Sequence, residues 1–388
     1  MLKNRDFIIE LLKCVRCGKC RAVCPHIEIS DFSEIGSPRG RMRLAYGLIT
    51  EKIPPTQLLI DNIYSCFYCG ICQKTCPSGV EVADLVLKVR QRLIELGVAP
   101  QNINNLIKII LDSKNIYGLD QEDRLEWAFD VEDLIEDKIR IEADIGIFIG
   151  CSASYKGTLS SQPESIINIL DTLDIKFTLL GEDEMCCGNP YFLGGGEIND
   201  EIMEIVKNNV EKFAELHIKE LITACPGCYR VIHTIYPILL GKELPFKVLH
   251  VSQYFANLIK NKRLIIRNSI NQKLTYQDPC ELARHCGIYD EPRYIINNVP
   301  GLELVELEPN KEDALCCGGG GLVKALYPEL VDEHLKIKFE QINRCNGIDG
   351  IITTCPSCQD NLMYGCNLYN NKLKVIDLCE LLWNSISE

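Results

Sequence analysis

Met185-Cys186-Cys187-Gly188 and, 130 residues further on, Leu315-Cys316-Cys317-Gly318 decide how this chain is read. Each lies in the same setting. A lone cysteine precedes it (Cys151, then Cys280), and a Cys-Pro-x-Cys follows it (Cys225-Pro226-Gly227-Cys228, then Cys355-Pro356-Ser357-Cys358). Around the first copy, Ile145-Gly146-Ile147-Phe148-Ile149-Gly150 is the short apolar run of a buried strand, with Cys151 at its end. A helix from Glu164 to Leu173, a strand from Lys176 to Leu180, a helix from about Ile198 to Leu216 and a strand at Leu221-Ile222-Thr223-Ala224 follow. The second copy repeats the order: Leu274-Thr275-Tyr276-Gln277 before Cys280, Glu303-Leu304-Val305 before Cys316, a helix from Leu322 to about Asn343, and Ile351-Ile352-Thr353 before Cys355. The closing segments also correspond, Val248-Leu249-His250 with Val375-Ile376-Asp377. This alternation predicts two tandem α/β units with parallel sheets, cysteines past the carboxyl ends of the strands, and a pseudo-twofold between the halves.

Adjacent side chains on an extended strand point to opposite faces, so the chain must turn for Cys186 and Cys187 to serve one site. Gly188, and Gly318 through Gly321, permit that turn and expose N–H groups to anionic sulfur. In Cys225-Pro226 and Cys355-Pro356 the proline suits a first helical turn, which places each cysteine at a helix N-terminus, where the dipole favours thiolate. Five cysteines per copy is one more than a cubane iron–sulfur cluster uses. The fifth is a spectator to a cubane, or all five hold a larger cluster with an iron open to substrate, or the set is zinc with a redox disulfide.

The amino-terminal part carries a second doubled pattern: Cys14-x-x-Cys17-x-x-Cys20-x-x-x-Cys24-Pro25 and Cys66-x-x-Cys69-x-x-Cys72-x-x-x-Cys76-Pro77. In the bacterial ferredoxin run three close thiolates hold one cubane and the fourth reaches to the other. By that rule Cys14, Cys17, Cys20 and Cys76 bind one [4Fe–4S] cluster, and Cys66, Cys69, Cys72 and Cys24 bind the second. Zinc uses two pairs of ligands and leaves the third cysteine and the Cys-Pro ending unexplained. The helical spacer between the runs predicts an all-helical two-cluster domain. Its Arg39, Arg41 and Arg43 either raise cluster potentials or form a solvated basic turn.

The chain has 388 residues, 46% apolar and 24% charged, with a net charge of −13. The composition is that of an ordinary globular protein, and the negative charge argues against nucleic acid or an anionic membrane surface as the main partner. The start, Met1-Leu2-Lys3-Asn4-Arg5-Asp6, has no apolar core or cleavage site, and no apolar run reaches membrane-spanning length. The 22 cysteines therefore read as those of a reduced, cytoplasmic metalloprotein, associated with a membrane only through a partner chain. Boundaries are expected at 1–97 for the ferredoxin-like domain, 98–143 for a helical linker, 144–262 for the first repeat and 263–388 for the second. The acidic stretch Asp120 to Asp137, with Leu125, Trp127, Phe129, Leu134 and Ile135 interleaved, reads as a linker helix.

The two ferredoxin runs, the two quintets and stretches such as Tyr276-Gln277-Asp278-Pro279-Cys280 and Tyr289-Asp290-Glu291-Pro292-Arg293 resemble the CCG-domain family of heterodisulfide reductase, its D type, over nearly the whole chain. The resemblance implies two noncubane [4Fe–4S] clusters, one on Cys151, Cys186, Cys187, Cys225 and Cys228, the other on Cys280, Cys316, Cys317, Cys355 and Cys358. It also implies cleavage of a CoM-S-S-CoB disulfide between them, with electrons arriving one at a time through the cubanes. Family members often have a histidine where this chain has Glu281.

The same architecture resembles the iron–sulfur subunits of glycolate, lactate and glycerol-3-phosphate dehydrogenases, which serve a flavoprotein and often lack cysteines of the quintets. A third reading is a cluster-carrying scaffold in a larger assembly. No flavin or nicotinamide fingerprint is present. Electrons are thus expected from a redox partner: a cytochrome b, a flavoprotein or a ferredoxin-like donor. Disulfide chemistry predicts basic residues near the site, for which Arg230, His233, Arg284, His285, Arg293 and Lys324 are candidates. Cys286, Cys345, Cys366 and Cys379 have no motif and read as core, with Cys286 notable for its closeness to Cys280.

Overall fold

The computed structural model describes residues 4–387; residues 1–3, on which part of the leader reading falls, lie outside them. The chain divides into two compact units.

The first unit contains the residues up to Lys108 together with Pro190–Glu197 and Pro309–Glu340. Its named helices are α1 (Asn4–Leu12), α2 (Pro38–Ile49), α3 (Gln57–Tyr64), α4 (Val82–Glu95) and the start of α5 (Gln101–Ser113). Among the described residues no strand precedes Ile145, as expected of a helical ferredoxin domain. Ser37 caps α2 by accepting from the Gly40 N–H, with Pro38 in the first turn, and Thr56 caps α3 by accepting from the Leu59 N–H. Helix α4 buries Val82, Leu85, Val86, Val89 and Leu93 along one face, and these pack with Met42, Leu59, Ile63 and Tyr64.

The second unit holds two four-stranded parallel sheets. Strands β1 (Ile145–Phe148), β2 (Phe177–Leu179), β3 (Glu220–Thr223) and β4 (Lys247–His250) lie in the order β2-β1-β3-β4. Strands β5 (Lys273–Tyr276), β6 (Glu303–Leu304), β7 (Gly350–Thr353) and β8 (Lys374–Asp377) lie in the order β6-β5-β7-β8. The order is the same in both, as the repeat predicts. Register sets Ile147 beside Ile222 and Thr223 beside His250, and in the second sheet Thr353 beside Asp377.

Helices α6 (Ser161–Thr172), α7 (Asp200–Glu215), α8 (Pro226–Arg230) and α9 (Val251–Lys260) belong to the first repeat. Helices α10 (Asp290–Asn297), α11 (Pro328–Asn343), α12 (Pro356–Leu368) and α13 (Leu378–Ile386) follow in the second. The two repeats exchange packing partners: α6 lies on α13, and α9 lies on α10. One continuous core results, with Ile147, Ile222 and Leu249 of one sheet joined to Leu274, Tyr276, Ile352 and Ile376 of the other. This is the pseudo-twofold.

Three elements differ from the sequence reading. The acidic stretch is a run of tight 3₁₀ turns, Glu122–Val131 and Glu136–Lys138, around one short α-helical turn. It is part of the α/β core, since Trp127, Ala128, Val131 and Ile135 are buried there while Phe129 points to solvent. The helix expected from Leu322 is broken at Tyr327, because Pro328 begins a new one. After Arg230 the first repeat has a π-helical segment, Val231–Ile235, where the second runs on as regular α12. Pro237 cannot donate to His233, and the ladder widens at that point. Among the described residues no helix is long and apolar enough to cross a membrane.

Candidate cluster-binding sites

The two ferredoxin runs fold alike. Arg16 (φ 61°) and Gly18 (φ 84°) are left-handed in the first, as are Tyr68 (φ 54°) and Gly70 (φ 73°) in the second. Such turns aim successive N–H groups inward and make an anion-binding hollow. Cys14, Cys17, Cys20 and Cys76 line one cavity. Cys24, Cys66, Cys69 and Cys72 line another. Each cavity thus collects three thiols of one run and the last thiol of the other. Burial pushes the Cys20 thiol up, and Cys14, Cys76 and Cys17 push it further. Burial likewise raises Cys24 to about 11, with Arg41 opposing and Cys69 and Cys66 adding. Four thiols crowded this way resist ionising until a cation neutralises them, so the donor sets suit a cluster.

The three spacer arginines separate. Arg39 is partly exposed and gives its Nε and Nη2 to Glu34, at 2.7 and 2.9 Å, while its Nη1 holds the Arg16 carbonyl. Arg43 is exposed. Arg41 is buried, with its Nε on the Asn62 carbonyl at 2.6 Å and its Nη1 4.0 Å from the Cys24 sulfur.

In the second unit, the first quintet forms one chain of sulfur contacts. The Cys151 thiol interacts with Cys186 and Cys186 with Cys187, while Cys228 interacts with both Cys187 and Cys225. Cys186 and Cys228 beside it hold the Cys187 thiol below its ordinary value. The Gly188 and Asn189 N–H groups point at the Cys186 and Cys187 sulfurs, at 3.4 and 3.5 Å. Cys225 stands at the N-terminus of α8 with Pro226 in its first turn. Gly150 (φ 80°) brings β1 against Cys228, whose sulfur lies 3.1 Å from where a Cβ would stand. Only glycine fits there.

Sequence reasoning missed the groups behind this site. Glu184 accepts from the Ile149 and Gly150 N–H groups, at 2.9 and 2.8 Å, and pairs with buried Arg124 at 2.5 Å. The Nε and Nη1 of Arg124 are buried without a hydrogen-bond partner. A buried cation with free donors beside Cys151 suits an anionic cluster. From α7, Asn209 clamps Met185 through both its backbone groups and reaches the Cys186 carbonyl, while the Tyr236 hydroxyl donates to the Cys187 carbonyl. An asparagine within an amphipathic helix pattern carries no signal of such a role.

The residues of the second quintet are placed as follows. In the first unit, the Gly318 and Gly319 N–H groups point at the Cys316 and Cys317 sulfurs, at 3.3 and 3.4 Å, repeating the geometry at Gly188. His334 Nε2 lies 2.9 Å from the Cys316 carbonyl, and its ring packs on Phe67. Gly321 lies against the Cys66 carbonyl, so close that a Cβ would overlap it. The loop after Cys317 therefore touches the second ferredoxin run. In the second unit, Cys280 follows β5, and Cys355 caps α12 with Pro356 in the first turn and Cys358 behind it.

The basic candidates are largely engaged. Arg293 is held by Asp278 and Glu306, at 2.7 and 2.6 Å, and braces the loop before Cys280. Arg230 meets Glu281 at 2.5 Å and Asn189 at 3.0 Å. The carboxylate beside Cys280 is thus neutralised from the other repeat. Exposed His233 stacks on Tyr229; Arg284, His285 and Lys324 have interactions within the chain. Burial raises Cys286 to about 12, and Glu281 adds to the rise. Cys379 is buried in the α/β core, Cys366 donates to the Leu373 carbonyl and Cys345 to that of Glu306.

Comparison with known proteins agrees with this picture. A cysteine-rich domain (CCG) matches residues 145–233 and 274–363, and a 4Fe-4S dicluster domain matches 10–80. The D component of dihydromethanophenazine:CoB–CoM heterodisulfide reductase from Methanosarcina mazei is 35% identical, over 97% of this chain and 94% of its own. The B component of fumarate reductase (CoM/CoB) from Methanothermobacter marburgensis is 28% identical, over 96% and 72%. A crystal structure of a hypothetical protein from Helicobacter pylori shares the fold, with a TM-score of 0.60 at 10% identity, over all of this chain and 77% of that one. With two CCG domains behind a dicluster domain, and 35% identity along almost its full length, this chain belongs to the D-type heterodisulfide reductase family of iron–sulfur electron-transfer subunits.

Proposed function

We propose that the protein takes single electrons from a partner chain through two cubane [4Fe–4S] clusters and delivers them to two noncubane [4Fe–4S] clusters that reduce a CoM-S-S-CoB-type disulfide. Cys14, Cys17, Cys20 and Cys76 would hold one cubane, and Cys66, Cys69, Cys72 and Cys24 the other. Cys151, Cys186, Cys187, Cys225 and Cys228 would hold one noncubane cluster, and Cys280, Cys316, Cys317, Cys355 and Cys358 its counterpart. We assign residues 1–97 to the ferredoxin domain, 98–143 to a linking segment whose acidic part packs into the α/β core, and 144–262 and 263–388 to the repeats.

The observation that carries this reading is the unbroken chain of five sulfurs from Cys151 to Cys225. A cubane uses four, and a spectator thiol would not need to be in contact with the rest. When bound, such clusters supply one-electron transfer and an iron that accepts sulfur. The chain's own part is to hold charge in place. N–H groups of Gly188, Asn189, Gly318 and Gly319 and the N-termini of α8 and α12 support thiolate. The Arg230–Glu281 pair keeps an uncompensated carboxylate away from an anionic disulfide. Partner choice, between a cytochrome b, a flavoprotein and a ferredoxin-like donor, is part of the same proposal, as are a cytoplasmic location and attachment to a membrane through that partner. The glycolate-, lactate- and glycerol-3-phosphate-dehydrogenase reading and the scaffold reading gain nothing from the relatives found.

Anaerobic purification with iron and sulfide counts, and EPR of the oxidised protein with and without coenzyme thiols, tests the proposal. A thiol-dependent signal is expected. Substitution Cys187→Ala or Cys317→Ala should abolish disulfide reduction while the ferredoxin clusters stay reducible. Iron sufficient for two cubanes only would overturn it.

A further inference from the structure

The two four-thiol cavities of the first unit differ in the permanent charge buried beside them. Next to Cys24 and Cys66 stand two guanidinium groups with no more than 1% of their surface exposed, Arg41 and Arg90. Arg90 gives its Nη2 to the Tyr64 and Cys66 carbonyls, at 3.2 and 2.9 Å, and its Nη1 to those of Leu193 and Gly321, at 2.8 and 2.9 Å. Arg41 holds the Asn62 carbonyl and approaches the Cys24 sulfur. Among the described residues neither meets a carboxylate; the charged and titrating neighbours of Arg90 are Cys66, Tyr64, Arg41 and Tyr327. Two like charges are therefore buried together; thiols, the phenols of Tyr64 and Tyr327 and the imidazole of His26 stand near them, and the Asp61 carboxylate accepts from the Tyr327 hydroxyl.

Capping the carboxyl end of α3 explains the carbonyl bonds, but a neutral amide meets a carbonyl too. A guanidinium adds charge, and burying a charge without a counter-ion is unfavourable in general. The anion within reach is the thiolate set of this cavity. Among the described residues the Cys14/Cys17/Cys20/Cys76 cavity has no such neighbour. Its Arg39 is 30% exposed and matched by Glu34, and Cys17 itself is open to solvent. Water and salt screen what charge is left there.

A thiolate-bound [4Fe–4S] cluster gains one negative charge on reduction, so a buried, unmatched cation favours its reduced form. We propose that the Cys24/Cys66/Cys69/Cys72 site is the higher-potential of the two, set so by Arg41 and Arg90. An electron from a one-electron donor enters at the exposed site and settles at the guanidinium-flanked one. One cluster is oxidised by one electron as the other is reduced by one, with no bond or proton transferred. This rests on the reading that both cavities hold [4Fe–4S] clusters.

The test is an anaerobic redox titration of the full-length holoprotein followed by EPR, using Arg41→Gln and Arg41→Lys. Cys17→Ser, which alters the spectrum of the exposed site, tells the two signals apart. At the wild-type midpoint of the guanidinium-flanked cluster, Arg41→Gln should lower its reduced-to-oxidised ratio about tenfold or more; tenfold is about 59 mV for a one-electron couple. Arg41→Lys, which keeps the charge, should change it less than threefold, and the exposed cluster should keep its midpoint in both. A purely structural arginine would leave the midpoint unmoved in Arg41→Gln with iron retained, and that result overturns the proposal. So does a wild-type titration in which the exposed cluster is the more easily reduced, should Arg41→Gln fail to fold. Iron too low to fill both cavities in the wild type would instead overturn the cluster reading itself.

Discussion

Glu281 and Arg230 show what a single pair of side chains decides. Both are largely buried, and each is the other's principal counter-charge. Removing one partner of such a pair is far more damaging than removing both. We expect Arg230→Met to destabilise the second unit by about 3 kcal/mol, and Arg230→Met with Glu281→Met to recover most of that loss. Chemical unfolding of the holoprotein under anaerobic conditions measures it; an additive double substitution would mean the contact is incidental. The sequence marks Glu281 as unusual and offers Arg230 separately, but 51 residues part them, and nothing local announces that they meet. Arg39, Arg41 and Arg43 show the same limit. Alike in sequence, they are sorted by tertiary closure alone: α3 covers Arg41 and leaves the others in or near water.

Among elements, the strands and the cysteine-bearing turns are legible. Short apolar runs ending in cysteine can hardly be anything else in an alternating α/β pattern, and Cys-Pro announces a helix start. The 3₁₀ run at Glu122–Val131 is not, because its spacing of apolar residues also suits an α-helix and only packing against α6 and its neighbours chooses. The closing helices carry a difference between the repeats that the sequence displays without explaining. His250 caps α9 and Asp377 caps α13 from matching places, and both are fully buried.

Burial lowers His250 to about 4 and raises Asp377 to about 6. As pH falls from about 7 to about 5 the unfolded chain protonates its histidine while folded His250 does not, a loss of about 2 kcal/mol. Over the same interval folded Asp377 takes up a proton that the unfolded carboxylate does not, a gain of about 1 kcal/mol. The two largely cancel. Asp377→Asn should therefore steepen the acid loss of stability, and His250→Asn should turn it into a slight gain, asparagine being a sound cap in either place. Unfolding midpoints at about pH 7 and about pH 5 check both; slopes indistinguishable from wild type would refute the pairing.

At the scale of the molecule, the doubled cysteine patterns disclose two repeats and a two-cluster domain. They do not disclose that Pro190–Glu197, just after the first Cys-Cys-Gly, and Pro309–Glu340, which contains the second, fold with the ferredoxin helices. Their signals are glycines whose backbone lies against another backbone, such as Gly195 on Arg90, and a glycine run alone does not name its neighbour. The ferredoxin runs are likewise interlocked through their last cysteines. Cys76→Ser should therefore perturb the same EPR signal as Cys14→Ser, and Cys24→Ser the same signal as Cys66→Ser. Perturbation by Cys76→Ser of the signal that responds to Cys66→Ser would refute the crossed sets.

The exchange of α6 and α9 for α13 and α10 reaches beyond the present chain. Half of the α/β unit, cut free, would show an apolar helix face that only its twin can cover. Such a shape is the one a symmetric dimer takes when its two protomers are joined end to end in a single chain. Once joined, the halves no longer had to stay identical, and the bulged turn after Arg230 in one and the glycine run after Cys317 in the other are differences that two copies of a single gene could never have acquired.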